Sequence, residues 1–260
     1  MNILIGIAIF YLVLIVAFYI FQHFVFFRPE ILPSTFEYKY EFPHEELSFD
    51  MEDGGKINGI YFTVPNSKGV VYYFKGNSRS IKGWGKFSKD FLSKGYDFFM
   101  VDYRGFGKSK GKRTETIIYN DMQHIYKWLT KKYKEENIII YGRSLGSGIA
   151  ARIASWNTPK MLILDSPYYS LTHQLRRFAY WMPIKYILRY RIPTFQFVRS
   201  LTVPLHLIHG NNDLLITHNH SEKLLAENPT LGKIHTIENG RHNNLPSFKQ
   251  YHKVLYEILE

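Results

Sequence analysis

A chain of 260 residues, 45% of them hydrophobic, is long enough for one sizeable core. Its formal net charge of +11 favours acidic surfaces, anionic lipid or nucleic acid, without choosing between them. The lack of cysteine excludes disulfides, thiolate metal sites, iron–sulfur clusters and a cysteine nucleophile.

From Ile3 to Phe21 no residue is charged, and apolar character continues to Phe27, broken only by Gln22 and His23. At about 1.5 Å per helical residue, such a run crosses the roughly 30 Å hydrocarbon core. Phe24, Phe26 and Phe27, followed by Arg28, form an interfacial end. A cleaved secretory signal needs a positive n-region and a small-residue cleavage site, and neither is present. The expectation is a transmembrane anchor over residues 1–27 in a single-pass membrane protein. Arg28 and Lys39 follow the span and no Lys or Arg precedes it, so the remainder of the chain leans cytoplasmic. Residues 28–44, with three prolines and no sustained period, read as a linker to a domain over 45–260.

LSFDME and KINGIYFTV alternate around Asp53-Gly54-Gly55 and predict a hairpin. Beyond it, β-rich runs at 70–74, 96–102, 138–142, 161–165, 204–210 and 233–238 alternate with helical stretches at Gly83–Ser93, Thr114–Tyr133, Leu145–Trp156, His218–Asn228 and Pro246–Leu259. This predicts an α/β fold: a mostly parallel sheet with helices on both faces, whose ligands bind beyond the carboxyl ends of the strands.

The chemistry lies at those ends. Gly142-Arg143-Ser144-Leu145-Gly146 joins the strand IIIYG to an apolar helical stretch, as a G-x-S-x-G nucleophile turn requires. Serine needs a base, and the base needs a carboxylate to fix its tautomer. Asp213 follows the strand PLHLIHG, and His242 lies in a Gly-containing loop before the last helix, which gives the order Ser, acid, His. Asp165, one strand earlier, is a rival acid. The backbone N–H groups of Leu145 and Asn77 are the expected oxyanion donors.

These segments together resemble the α/β-hydrolases of the BEM46-like group, membrane-associated hydrolases similar to serine aminopeptidases of the S33 type. The resemblance rests on KGN at 75–77, DYRGFGKSKG at 102–111, YGRSLGSG at 141–148, LDSPYYSL at 164–171, HGNND at 209–213 and NGRHNN at 239–244. It implies the α/β-hydrolase fold, the triad Ser144, Asp213 and His242, and an N-terminal hydrophobic segment. Lys75 stands where the family pattern has His, which bears on the shape and charge of the oxyanion loop.

Between Asp165 and Asp213 there is no acidic residue, while Arg176, Arg177, Lys185, Arg189, Arg191 and Arg199 are interleaved with aromatic residues. In this fold the stretch forms a small lid, about 167–200, between strands 6 and 7. Its composition suits docking on anionic lipid, or packing of the lid onto the sheet. GFGKS at 105–109 lacks the leading Gly of a P-loop, Asp102 standing there instead. His218 and His220 lack metal-ligand spacing, and His206 and His209 read as core histidines. No metal, cofactor or nucleic-acid partner is expected. The function expected is a membrane-anchored serine hydrolase, carboxylesterase or lipase-like, acting on small-molecule or lipid esters. Amidase, thioesterase and acyltransfer chemistry would use the same residues, and the alternative is a catalytically impaired scaffold or lipid-binding protein.

Overall fold

The computed structural model describes residues 2–260. Eight strands, β1 (His44–Asp50), β2 (Lys56–Phe62), β3 (Val70–Phe74), β4 (Asp97–Val101), β5 (Ile138–Arg143), β6 (Met161–Asp165), β7 (Leu205–Gly210) and β8 (Gly232–Ile237), form one sheet. Their order is β1-β2-β4-β3-β5-β6-β7-β8. β1 pairs antiparallel with β2, and β2 with β4; every later pairing is parallel. The helices are α1 (Asn2–Phe26), α2 (Ser88–Leu92), α3 (Glu115–Leu129), α4 (Leu145–Trp156), α5 (Leu171–Arg176), α6 (Ile184–Ile187), α7 (Thr194–Arg199), α8 (Asn219–Glu227) and α9 (Lys249–Leu259).

Strand period two splits the core in two. Val70, Tyr72 and Phe74 of β3 pack with Ile118, Met122, Ile125 and Ile149, while Val71 and Tyr73 pack with Phe91, Tyr251 and Leu255 on the opposite face. Thr114 caps α3 by accepting the Ile117 N–H at 3.2 Å, and Ile118, Met122, Ile125 and Leu129 turn one stripe of that helix to the sheet.

Three segments differ from the sequence expectation. Gly83–Ser93 is two 3₁₀ turns, Ile81–Gly83 and Gly85–Phe87, followed by the short α2. Two glycines weaken the helix there, and a side chain at Gly85 would collide with the Tyr40 ring. The last helix begins at Lys249, after a 3₁₀ turn at Leu245–Ser247. The stretch 28–44 carries no long element, yet it is bonded to the domain: Arg28 N–H donates to Asn77 O (2.8 Å), Arg79 N–H to Arg28 O (3.0 Å) and Leu32 N–H to Gly107 O (3.0 Å). Leu32 and Tyr38 are buried.

The helix α1 includes a 24-residue span, Ile3–Phe26, of mean hydropathy 2.9, long and apolar enough to cross a membrane by length and composition. Its C-terminal end is buried at Gln22 and Phe26, as is Phe27 just beyond it. The polar interruption at Gln22 has a docking role: its amide donates to Ile187 O (3.1 Å) and accepts from Arg189 N–H (2.8 Å). Tyr11 O–H donates to Trp181 O at 2.8 Å. Between β6 and β7 the chain forms α5, α6 and α7, and this stretch therefore flanks α1.

Two histidines, one beneath this region and one on the edge strand β8, are held neutral. Burial pushes His220, which accepts the Tyr169 N–H (2.9 Å), down to about 4. Burial likewise pushes His235, 3.1 Å from His206, down to about 4. Between roughly pH 6.5, the ordinary histidine value, and pH 4 the unfolded chain binds protons that the folded one refuses. The stability linked to these rings is therefore full above pH 6.5 and lost as pH falls through that window. Denaturant unfolding at pH 7, 5.5 and 4.5 should show a progressive fall, shallower in His220→Asn. A fall of the same slope in the variant would show that the ring is not its source.

Candidate active site

The site is built where β5 runs into α4. Ser144 has φ 50° and ψ −120°, the strained turn that lifts a serine hydroxyl clear of the sheet. Its neighbours must lack side chains: a Cβ on Gly142 would sit 2.7 Å from Gly146 O, and one on Gly146 would sit 2.6 Å from Lys75 O. The Ser144 N–H donates to Asp165 O at 2.9 Å, which pins the turn to the end of β6.

Ser144, Asp213 and His242, far apart in the chain, lie together. Ser144 Oγ is 2.9 Å from His242 Nε2, and His242 Nδ1 is 2.8 Å from Asp213 Oδ2. With the carboxylate receiving the Nδ1 proton, Nε2 is left to accept from the serine hydroxyl. Asp213 Oδ1 accepts the Leu215 and Ile216 N–H groups, each at 2.9 Å. Burial alone would raise the Asp213 pKa, but hydrogen bonds from His209, His242 and the Ile216 backbone hold it well below the usual carboxylate range.

Asp165 makes no bond to His242. Its carboxylate accepts from Tyr141 O–H (2.9 Å) and Ser166 O–H (3.0 Å) and faces Arg143 Nε at 3.6 Å. The backbone N–H groups of Asn77 and Leu145 have no acceptor among the described residues, and both residues border the cavity above Ser144. Lys75, beside Asn77, is fully buried and does not line that cavity. Its ammonium donates to Arg79 O (3.0 Å), stands 3.4 Å from Asp102 Oδ1 and lies 3.7 Å over the Phe106 ring. Burial pulls its pKa below the ordinary lysine value, and Asp102 opposes that pull.

Two contributors escaped the sequence reading. His209 is fully buried, its Nε2 2.8 Å from Ile216 O and 3.4 Å from Asp213 Oδ2, so it supports the carboxylate from behind. A histidine inside an apolar strand gave no cue to that contact. Arg143, the variable residue of the G-x-S-x-G turn, links Asp165 to the His242 carbonyl, which its Nη2 meets at 3.4 Å.

The cavity above Ser144 measures about 750 Å³. It is bordered by the 76–79 loop, by Trp84 and Phe87, by Leu171, Leu175 and Phe178 of the stretch between β6 and β7, and by Val25 and Phe26 of α1. This size suits a small-molecule ligand.

The profile of the serine aminopeptidase S33 family matches residues 65–199, just over half of the chain. An uncharacterized protein of Mycobacterium tuberculosis is 26% identical over 185 residues, 70% of this chain and 66% of its own length. Alpha/beta hydrolase domain-containing protein 17B of Homo sapiens is 28% identical over 193 residues, 72% of this chain and 65% of its own length. The matched region thus spans just under two thirds of these relatives. Among solved structures, an esterase of Pyrococcus furiosus superposes with TM-score 0.71 at 22% identity, covering 89% of this chain and 98% of that one. A thioesterase domain of the curacin biosynthetic pathway superposes with TM-score 0.59 at 16% identity, covering 84% and 99% respectively. At such identities the likeness speaks to the fold.

Proposed function

From the premise that this chain belongs to the serine aminopeptidase S33 family of α/β-hydrolases, we propose that it is a serine hydrolase cleaving carboxylic esters through an acyl-enzyme on Ser144. The observation that carries the reading is the continuous hydrogen-bond relay from Ser144 Oγ through His242 to Asp213. Ser144 Oγ attacks the ester carbonyl as its proton passes to His242 Nε2, and Asp213 holds the imidazolium formed. The unpartnered N–H groups of Asn77 and Leu145 receive the negative charge that develops on the carbonyl oxygen. Collapse breaks the bond to the alcohol, which leaves with the proton from His242. Water, deprotonated by the same ring, then releases the acid and restores Ser144.

Helix α1 is taken as a single membrane span, and the stretch 167–200 as a cap on the site. Exposed Tyr180, Trp181 and Tyr186 support both assignments, since this stretch flanks a helix whose upper part exposes only apolar and aromatic side chains. Tyr11 and Gln22, its two docking points, are about 16 Å apart along α1 at the ordinary helical rise.

Ester chemistry is favoured over the aminopeptidase chemistry of the family's name by the cavity border, which carries no carboxylate to hold a free amino terminus. A series of p-nitrophenyl esters of rising acyl length, set beside aminoacyl p-nitroanilides, tests this. The expected result is ester turnover that rises with chain length to a plateau, with anilides at least 100-fold slower. Faster anilide turnover would return the protein to the peptidases.

A further inference from the structure

The cavity border is strongly one-signed. Arg28, Arg79, Lys86 and Arg143 line it, and no Asp or Glu does. Arg143 is buried against Asp165. The other three are exposed and make no salt bridge among the described residues. Glu30, the acidic side chain nearest in sequence, is bonded to Ser80 (2.7 Å) and Lys82 (3.3 Å) instead. Two of the three cations are held on neighbouring backbone, because Arg79 N–H donates to Arg28 O. Their position therefore follows the loop that carries Asn77.

A second observation concerns polarity. Gln174 lines the same cavity and is 8% exposed. Its amide nitrogen donates to Leu215 O at 2.6 Å, while its Oε1 is buried with no hydrogen-bond partner among the described residues. An acceptor in that condition leaves an unmet hydrogen-bonding capacity in the wall of the cavity. Apolar Val25, Phe26, Leu171, Leu175 and Phe178 complete the border.

We propose that the site selects acyl esters of a phosphorylated polyhydroxy alcohol. Arg28, Arg79 and Lys86 receive the phosphate, a turn of the Gln174 side chain lets its Oε1 accept from a free hydroxyl of the alcohol, and the acyl chain lies along the apolar wall of Val25, Phe26, Leu171, Leu175 and Phe178. A phosphate monoester carries nearly two negative charges and three acceptor oxygens, which suits three unpaired cations better than a single carboxylate does. The inference rests on the ester-hydrolase reading of the same site. The bond broken is the carboxylic ester, by the route already given, and the phosphate stays on the departing alcohol.

The test compares 1-decanoylglycerol with 1-decanoylglycerol 3-phosphate, which share the scissile ester and differ by the phosphate. Wild-type protein in detergent should favour the phosphate ester in kcat/KM by about tenfold at low salt, and the preference should shrink as salt is raised. Arg79→Gln with Lys86→Gln should bring the ratio of the two kcat/KM values towards one. Lys253→Gln, which removes an exposed cation from α9, should leave that ratio where it was. Inorganic phosphate should inhibit far more weakly than glycerol 3-phosphate.

Equal kcat/KM values in the wild type, or a ratio unchanged by the double substitution, would overturn the proposal and leave the ester reading standing on turnover of the neutral ester. Inhibition by inorganic phosphate as strong as by glycerol 3-phosphate would also overturn it, by showing a site for free phosphate. Turnover of neither ester would overturn both.

Discussion

Replacing Ser144 with Ala should lower ester turnover by roughly 10⁴- to 10⁶-fold with no change in the unfolding midpoint, because the hydroxyl contributes one hydrogen bond to the fold and the nucleophile to the chemistry. His242→Ala should cost about as much, since without the base the serine keeps its proton. The double variant should be hardly worse than either single one, because groups that act as a unit are lost together. Asp213→Asn should cost roughly 10²- to 10⁴-fold. The amide can offer an N–H to His242 Nδ1 and so favour the tautomer in which Nε2 carries the proton. It would also loosen the bonds to Leu215 and Ile216, so some loss of stability is expected there and not in Ser144→Ala. Rates measured on each variant, with near-ultraviolet circular dichroism as a check on packing, decide the matter. A Ser144→Ala protein that keeps more than a hundredth of wild-type turnover would remove the serine from the chemistry.

The second large effect is expected at Lys75 and Asp102. Both side chains are fully buried, and each is the charged partner of the other. A buried pair adds little net stability, but removal of one member strands the other charge, at a cost of about 3–5 kcal/mol. Lys75→Met leaves the Asp102 carboxylate with the Ile81 N–H, at 3.0 and 3.1 Å from its two oxygens, as its remaining polar contact in that pair's setting. Asp102→Asn leaves an ammonium facing the Phe106 ring and the Arg79 carbonyl. Each single variant should unfold at clearly lower denaturant, and the double variant Lys75→Met with Asp102→Asn should lose much less than the sum. Turnover should fall in the single variants as well, since Lys75 holds the Arg79 carbonyl and with it the loop that carries Asn77. Additive losses in the double variant would show that the two groups do not depend on each other.

Strands β2 to β8 were legible because each is a short, largely apolar run bounded by turn residues, and they fall within one or two residues of their sequence positions; β1, the charged edge strand HEELSFD, begins three residues before the run that marked it. The relay of Ser144, Asp213 and His242 was visible as three residues just beyond strand ends in one order. Their contact was not, because nothing local reports the distance between loops that lie 98 residues apart (Ser144 and His242) or 29 apart (Asp213 and His242). Lys75 misled for a related reason. Its sequence position beside Asn77 suggested a charge in the oxyanion loop, whereas β3 directs the side chain into the core towards Asp102. The helices α5, α6 and α7 escaped notice because six residues or fewer show no helical period. The attachment of residues 28–32 to the 77–79 and 107 loops rests on paired backbone bonds, which leave no mark on composition, and on the Glu30 side chain bonded to Ser80.

The most direct test of the central claim is to treat the full-length protein in detergent with a fluorophosphonate and to locate the adduct by peptide mass spectrometry. An activated serine predicts a single phosphonyl adduct on the peptide containing Ser144, absent from Ser144→Ala and slowed in His242→Ala. Folded wild-type protein that takes up no adduct, or takes it up on another residue, would contradict the account.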